Sequence, residues 1–185
     1  MKKMLTVLAL LGLMAGCATS SPTPRLFTVD MTPSAEAGSP VNIAVGRLRV
    51  AEPLQSKRIL IKKSATEIEY YATAQWAANL DEVLREKMTA EFGPTDTERP
   101  TYVISGMLQA FEQVDMAESG NKAHVKLALE VRKDGVSQYS PAEITKIYDV
   151  SVPLAGESAG GVVDGLTVCL EMIARAIVTD ISALS

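Results

Sequence analysis

Histidine is almost absent from this chain: His124 is the only one in 185 residues. Cysteine is nearly as scarce, with Cys17 and Cys169 alone. One histidine and two cysteines cannot supply the four N or S ligands of a structural zinc site, so no metal centre of that kind is expected. Glycine-rich loops of the P-loop or dinucleotide type are missing, which removes the usual phosphate-cofactor signatures. Basic residues are in deficit, 18 Lys and Arg against 22 Asp and Glu. No basic stripe exists to displace phosphate counterions, so nucleic acid is excluded as a partner. The N-terminal apolar run, Met4 to Met14, covers about 11 residues, whereas a helix needs roughly 20 to cross a bilayer core.

What stands around that run is informative. Lys2 and Lys3 precede it, and Met14-Ala15-Gly16 places small residues directly before Cys17. Charge, short apolar core and small-residue cleavage site in that order read as a secretory signal peptide, residues 1–16. A cysteine immediately afterwards resembles the lipobox of bacterial lipoproteins, in which the thiol carries the lipid (palmitate among the acyl groups). Cys17 is therefore the expected lipid anchor, and covalent lipid stands in place of any cofactor. One acyl chain holds a protein only reversibly, while two or more anchor it stably. With Cys17 acylated, Cys169 has no intramolecular disulfide partner and the fold must stand on its core. Ala18 follows the lipid cysteine rather than Asp, which by the same resemblance points to the outer membrane. Loss of Lys2 and Lys3 with the signal leaves 16 basic against 22 acidic side chains, a net charge of about −6. Attachment then rests on acyl chains rather than on attraction to anionic lipid.

Residues 17–25 carry the polar, proline-bearing stretch Thr19 to Pro24 and read as a short tether. Residues 26–185 are of a size for one domain. Within them, Thr32 to Pro40 is expected to be a loop. Branched and aromatic residues predict strands at Leu26–Val29, Val41–Val50, Ile59–Ile61, Ile68–Tyr71, Tyr102–Val114, Ala123–Arg132 and Ile144–Val152. Strict alternation marks Ala123–Arg132 as half-buried, with Val125, Leu127, Leu129 and Val131 on one face and His124, Lys126, Glu130 and Arg132 on the other. Ser119-Gly120-Asn121 carries turn chemistry and predicts a hairpin between the two longest strands. Three- and four-residue apolar spacing predicts helices at Leu80–Phe92, closed by Gly93-Pro94, and at about Gly161–Ala183. The fold class expected is α/β, a single domain with a mixed sheet of six or seven strands covered by two amphipathic helices.

Three features invite a chemical reading. Gly156-Glu157-Ser158-Ala159-Gly160 matches the G-x-S-x-G nucleophile elbow and lies between a predicted strand and helix. The rest of that machinery is absent: the acid and histidine of the elbow fold follow the serine, yet His124 precedes Ser158. Without a histidine base the hydroxyl is not activated. A helix N-cap explains the same letters. His124 sits on the wet side of its strand and reads as a solvated surface histidine. Cys169 lies on an apolar helix stripe, where a free thiol acts as a small hydrophobe. No catalytic residue is assigned. Tyr70, Tyr71 and Trp76 form an aromatic group with two readings: Trp76 plugs the core, or the three line a partner-binding surface, where Tyr and Trp dominate hot spots.

The order Cys17, Leu26–Val29, Val41–Val50, Pro53-Leu54, Arg58-Ile59, Ile68–Tyr71, Trp76-Ala77 and Leu80–Phe92 resembles the ABC-type transport auxiliary lipoproteins. The long strand pair and the C-terminal helix fit as well, so the resemblance spans the mature chain. Phe27 stands where a tyrosine is commoner, and Ala78-Asn79 where a proline or acidic residue is. The resemblance implies a non-catalytic lipoprotein facing the periplasm from the outer membrane. Its implied partners are an ABC permease, its ATPase and an Mce-domain protein, with a phospholipid or other hydrophobic cargo. Some relatives form rings, which adds a homo-oligomeric ring to the implied partners. A second function stays open beside the adaptor: a periplasmic carrier holding an acyl chain between its own helix stripe and sheet.

Overall fold

A computed structural model describes residues 22–31, 41–94, 101–116, 120–137, 139–154, 156 and 158–184. Seven strands and two helices are found there: β1 Arg25–Phe27, β2 Asn42–Val50, β3 Arg58–Lys62, β4 Ile68–Trp76, α1 Leu80–Phe92, β5 Thr101–Met116, β6 Gly120–Lys133, β7 Ile144–Pro153 and α2 Ala159–Ser182. The strands make one mixed sheet in the order β1-β4-β3-β5-β6-β7, with β2 also on β5. This is the α/β arrangement expected from the sequence. The signal segment, Cys17, the Thr32–Pro40 loop and Ser119 lie outside the described residues.

Strand β5 is the axis of the sheet. One of its edges pairs along its whole length with β6, antiparallel, from Tyr102↔Lys133 to Met116↔Gly120. The other edge is shared. Strand β2 runs parallel to the first half of β5, from Asn42↔Thr101 to Val50↔Leu108. Strand β3 runs parallel to the second half, from Leu60↔Glu112 to Lys62↔Val114. Between them the chain sidesteps through a 3₁₀ turn, Glu52–Gln55, held by buried Leu54. Pro53 suits such a turn because its fixed φ matches and its missing N–H is not needed.

Both helices lie on one face: α2 covers β6, β7 and β5, while α1 packs on β2 and touches α2. On α2 the stripe Val162, Leu166, Cys169, Leu170, Ile173, Ile177 and Ile181 is fully buried, and each large aliphatic side chain so buried contributes about 1.5–3 kcal/mol. Ser158 caps this helix, its Oγ accepting from the Gly161 N–H at 3.1 Å. Close approach of helix and sheet requires glycine at 165: a Cβ there would stand 2.8 Å from the Ala123 Cβ and 2.7 Å from Leu154 Cδ2. Strand β6 answers with Ala123, Val125, Leu127, Leu129 and Val131, all 2 % exposed or less.

Three differences from the sequence reading have physical causes. Strand β4 extends to Trp76 rather than stopping at Tyr71, because both its edges are paired there, through Arg58↔Gln75 and Phe27↔Trp76. Strand β1 covers Arg25–Phe27 rather than Leu26–Val29, yet Val29 and Met31 are buried without strand pairing. In β5 a bulge at Gln109 separates Leu108↔Leu127 from Ala110↔Lys126. The extra residue switches side-chain parity, so Ile104 and Leu108 before it and Phe111 after it all point to the helices.

Candidate functional site

The face of the sheet away from the helices carries a row of charges assembled from four strands. Glu112 of β5 pairs across to His124 of β6, and His124 to Ser151 of β7 with Asp149 one step diagonal. His124 Nδ1 is 3.2 Å from Glu112 Oε1, and its Nε2 is 2.9 Å from Asp149 Oδ1. Lys62 of β3 stands 3.9 Å from Glu112, and Lys126 lies 3.4 Å from Asp149. Two carboxylates can only accept, so an imidazole bridging both must donate from both nitrogens, which only the charged form does. The hydrogen bond to Glu112 is the main reason the His124 pKa rises above its ordinary value, against the opposing pull of burial. The hydrogen bond from His124 is in turn the main reason Asp149 is held below the usual carboxylate range. His124 is thus on the wet face as expected but is not freely solvated: its side chain is only 18 % exposed between the two carboxylates. The sequence shows His124 on a polar strand face; only the register brings Glu112 and Asp149 to it.

The aromatic group divides. Trp76 is 1 % exposed and packs against Phe111 with ring centroids 5.2 Å apart, tilted by 48°. It is the core plug, and it offers no surface for a partner to touch, because its ring is enclosed in the hydrophobic core. Tyr70 and Tyr71 are half-buried. The Tyr70 hydroxyl donates to the Pro53 carbonyl at 2.9 Å, pinning β4 to the 3₁₀ turn, and its ring lies under the Arg58 guanidinium at 4.8 Å. The Tyr71 hydroxyl donates to Gln113 Oε1 at 2.5 Å, and Gln113 passes the chain to Asn121 and on to the Gly156 carbonyl. These hydroxyls tie strands and loops together, which fixes where both rings sit.

Ser158 and His124 are kept apart. The serine caps α2 on the covered face, while the histidine belongs to the open one. Cys169 is buried, its thiol 3.8 Å from the Ala123 carbonyl, and burial pushes its pKa up to about 11. A thiol so placed stays protonated and packs as a hydrophobe. At the other end of α2, Asp180 accepts from Tyr148 at 2.7 Å and from Lys146 at 2.6 Å, clamping the helix onto β7. Burial, then the hydrogen bond to Asp180, raises the Tyr148 pKa.

A family model described as the ABC-type transport auxiliary lipoprotein component matches residues 26–178. The chain belongs to that family. As an auxiliary lipoprotein of ABC-type transport it is part of a class associated with membranes, and no helix among its described residues is long and apolar enough to cross one. Two solved structures share the fold. A Xanthomonas campestris protein of the DUF330 family is 18 % identical, with a TM-score of 0.69 over 88 % of this chain and 97 % of that one. An uncharacterized protein is 11 % identical, with a TM-score of 0.65 over 86 % and 99 %. No curated protein matches the chain.

Proposed function

We propose that this auxiliary lipoprotein is a non-catalytic accessory of an Mce-like lipid transport system, held by lipid on Cys17 at the periplasmic face of the outer membrane and acting through protein–protein contact. The observation that carries the reading is the family match, which begins at residue 26, nine residues after the lipobox cysteine. The polar tether between them lets the folded body reach a partner while the acyl groups stay in the bilayer. Its partners are the ABC permease, the ATPase and the Mce-domain protein, with a homo-oligomeric ring as the arrangement that would receive a lipid conduit. Half-buried Tyr70 beside Arg58 is the part of the aromatic group that offers a contact surface, since Tyr and Arg are both favoured in hot spots. The carrier reading, an acyl chain between helix stripe and sheet, has little room. That interface is filled by the chain's own side chains and closed to atomic contact at Gly165.

The test is crosslinking in intact cells, recovery from membranes in mild detergent and mass spectrometry, run on the native chain and on Cys17→Ser. The native chain is expected to bring down the permease, ATPase and Mce-domain subunits, and the variant to leave the membrane fraction and lose them. Recovery of no transporter subunit, or a variant that stays membrane-bound, overturns the proposal.

A further inference from the structure

The register lines up a second row on the open face, one that the charge row around His124 does not use. Arg49 of β2 is opposite Met107 of β5, Met107 is opposite Ala128 of β6, and Ala128 is opposite Ile147 of β7. Directly opposed residues share a face, so these four side chains form a line across four strands, roughly 14 Å long at the usual inter-strand spacing. Its composition is one cation followed by three apolar groups. Ile147 is 55 % exposed, an unusual state for a branched side chain in the middle of a strand. Arg47, two residues before Arg49, adds a second guanidinium on the same side. Neither the Arg47 nor the Arg49 guanidinium has a hydrogen bond or ion pair among the described residues, in a chain whose formal charge is −4. Together these residues line a groove of about 810 Å³, within the size range of small-molecule sites. Arg132 also lines it, but its guanidinium is engaged by Glu130 and by the Ser140 carbonyl.

We propose that this groove binds an anionic amphiphile, with the oxyanion head between Arg47 and Arg49 and the hydrocarbon laid over Met107, Ala128 and Ile147. Two unmatched guanidiniums select a phosphate or carboxylate head, because Arg presents a planar fork that meets either in pairs of hydrogen bonds. A zwitterionic head leaves that excess charge uncompensated. An extended peptide is the poorer fit: a strand is gained by pairing at a sheet edge, whereas on a sheet face its backbone N–H and C=O groups meet only side chains. The site rests on the groove alone and not on the transporter assignment, so a failed pull-down leaves it standing.

The experiment uses the full chain with Cys17→Ser, so that no acyl anchor competes, and cis-parinarate, a fatty acid that fluoresces on binding. Brightening is expected, with displacement by palmitate or lysophosphatidylglycerol and not by lysophosphatidylcholine of the same chain length. Whichever of the two anions displaces at lower concentration identifies the head as carboxylate or phosphate. The double variant Arg47→Ala/Arg49→Ala and the single variant Ile147→Asp are each expected to weaken binding at least tenfold. All three positions are on the open face, and an unchanged melting temperature checks that the fold is intact. Absence of brightening, equal displacement by the zwitterion, or undiminished affinity in the arginine variant overturns the proposal.

Discussion

From β6, Ala123, Val125, Leu127, Leu129 and Val131 turn one way and are sealed beneath α2, while His124, Lys126, Ala128, Glu130 and Arg132 turn the other way and keep part of their surface. The same ten-residue stretch therefore serves two environments. On the covered side, burial of aliphatic surface sets the energetics. On the open side, charge and hydrogen bonding dominate, through the His124 bridge and the arginine groove. Stability should respond to change on the first side and barely on the second, where binding and pH should respond instead.

The largest effect expected is from Trp76→Ala. The ring is fully buried against Phe111, and truncating a buried aromatic costs about 3–5 kcal/mol through lost contacts and a residual cavity. Urea unfolding followed by circular dichroism should show a much lower midpoint. If Trp76 instead contributed mainly to a partner surface, the midpoint would move by less than about 0.5 kcal/mol, as for an ordinary surface substitution.

Gly165→Val comes next, at about 1–3 kcal/mol. Here nothing is removed; a Cβ and its two methyls are forced against Ala123 and Leu154, which already stand within 2.8 Å of where that Cβ would be. Thermal unfolding of this variant should show the loss, and a wild-type melting temperature would mean that α2 rides further from the sheet than its packing indicates.

Much of the covered side was legible from the chain alone. The α2 stripe and the β6 alternation each follow one period over many residues, and both elements lie within two or three residues of where the periods put them. Ser158 as a helix cap was also readable, since serine before a helical run is a strong start signal. The open side was less legible because its features belong to no single segment. Glu112, His124 and Asp149 come from three strands, and their meeting depends on register. The Gln109 bulge made this harder, since alternation read through β5 assigns Phe111 and Glu112 to the wrong faces. A usable signal did exist for the groove: Arg47 and Arg49 are two apart in a strand that is otherwise apolar from Ile43 to Val50, so both cations had to share a face.

The smallest effect, and the one that tests the open side most directly, is expected from His124→Gln. Glutamine retains a donor for one carboxylate but not the positive charge that both require. The folded pKa of His124 is raised above its usual 6.5, so the native state binds the proton more tightly than the unfolded chain does. By linkage, the stability this provides is complete below pH 6.5 and is lost as the pH rises through the higher folded value. Asp149 sets the other boundary: its folded pKa is depressed below 3.8, so its contribution is present above that value and fades as the pH falls through the folded one. The bridge is therefore strongest in between. The native chain should exceed the variant by about 1 kcal/mol near pH 6, with the exposure of Asp149 keeping the figure low through solvent screening. The gap should close as the pH is raised above neutrality, measured as melting temperature against pH for both proteins. A gap that stays constant across that range would show that His124 supports the sheet only by packing, and the contrast between a charge-governed face and a burial-governed one would then fail at the residue where it is drawn most sharply.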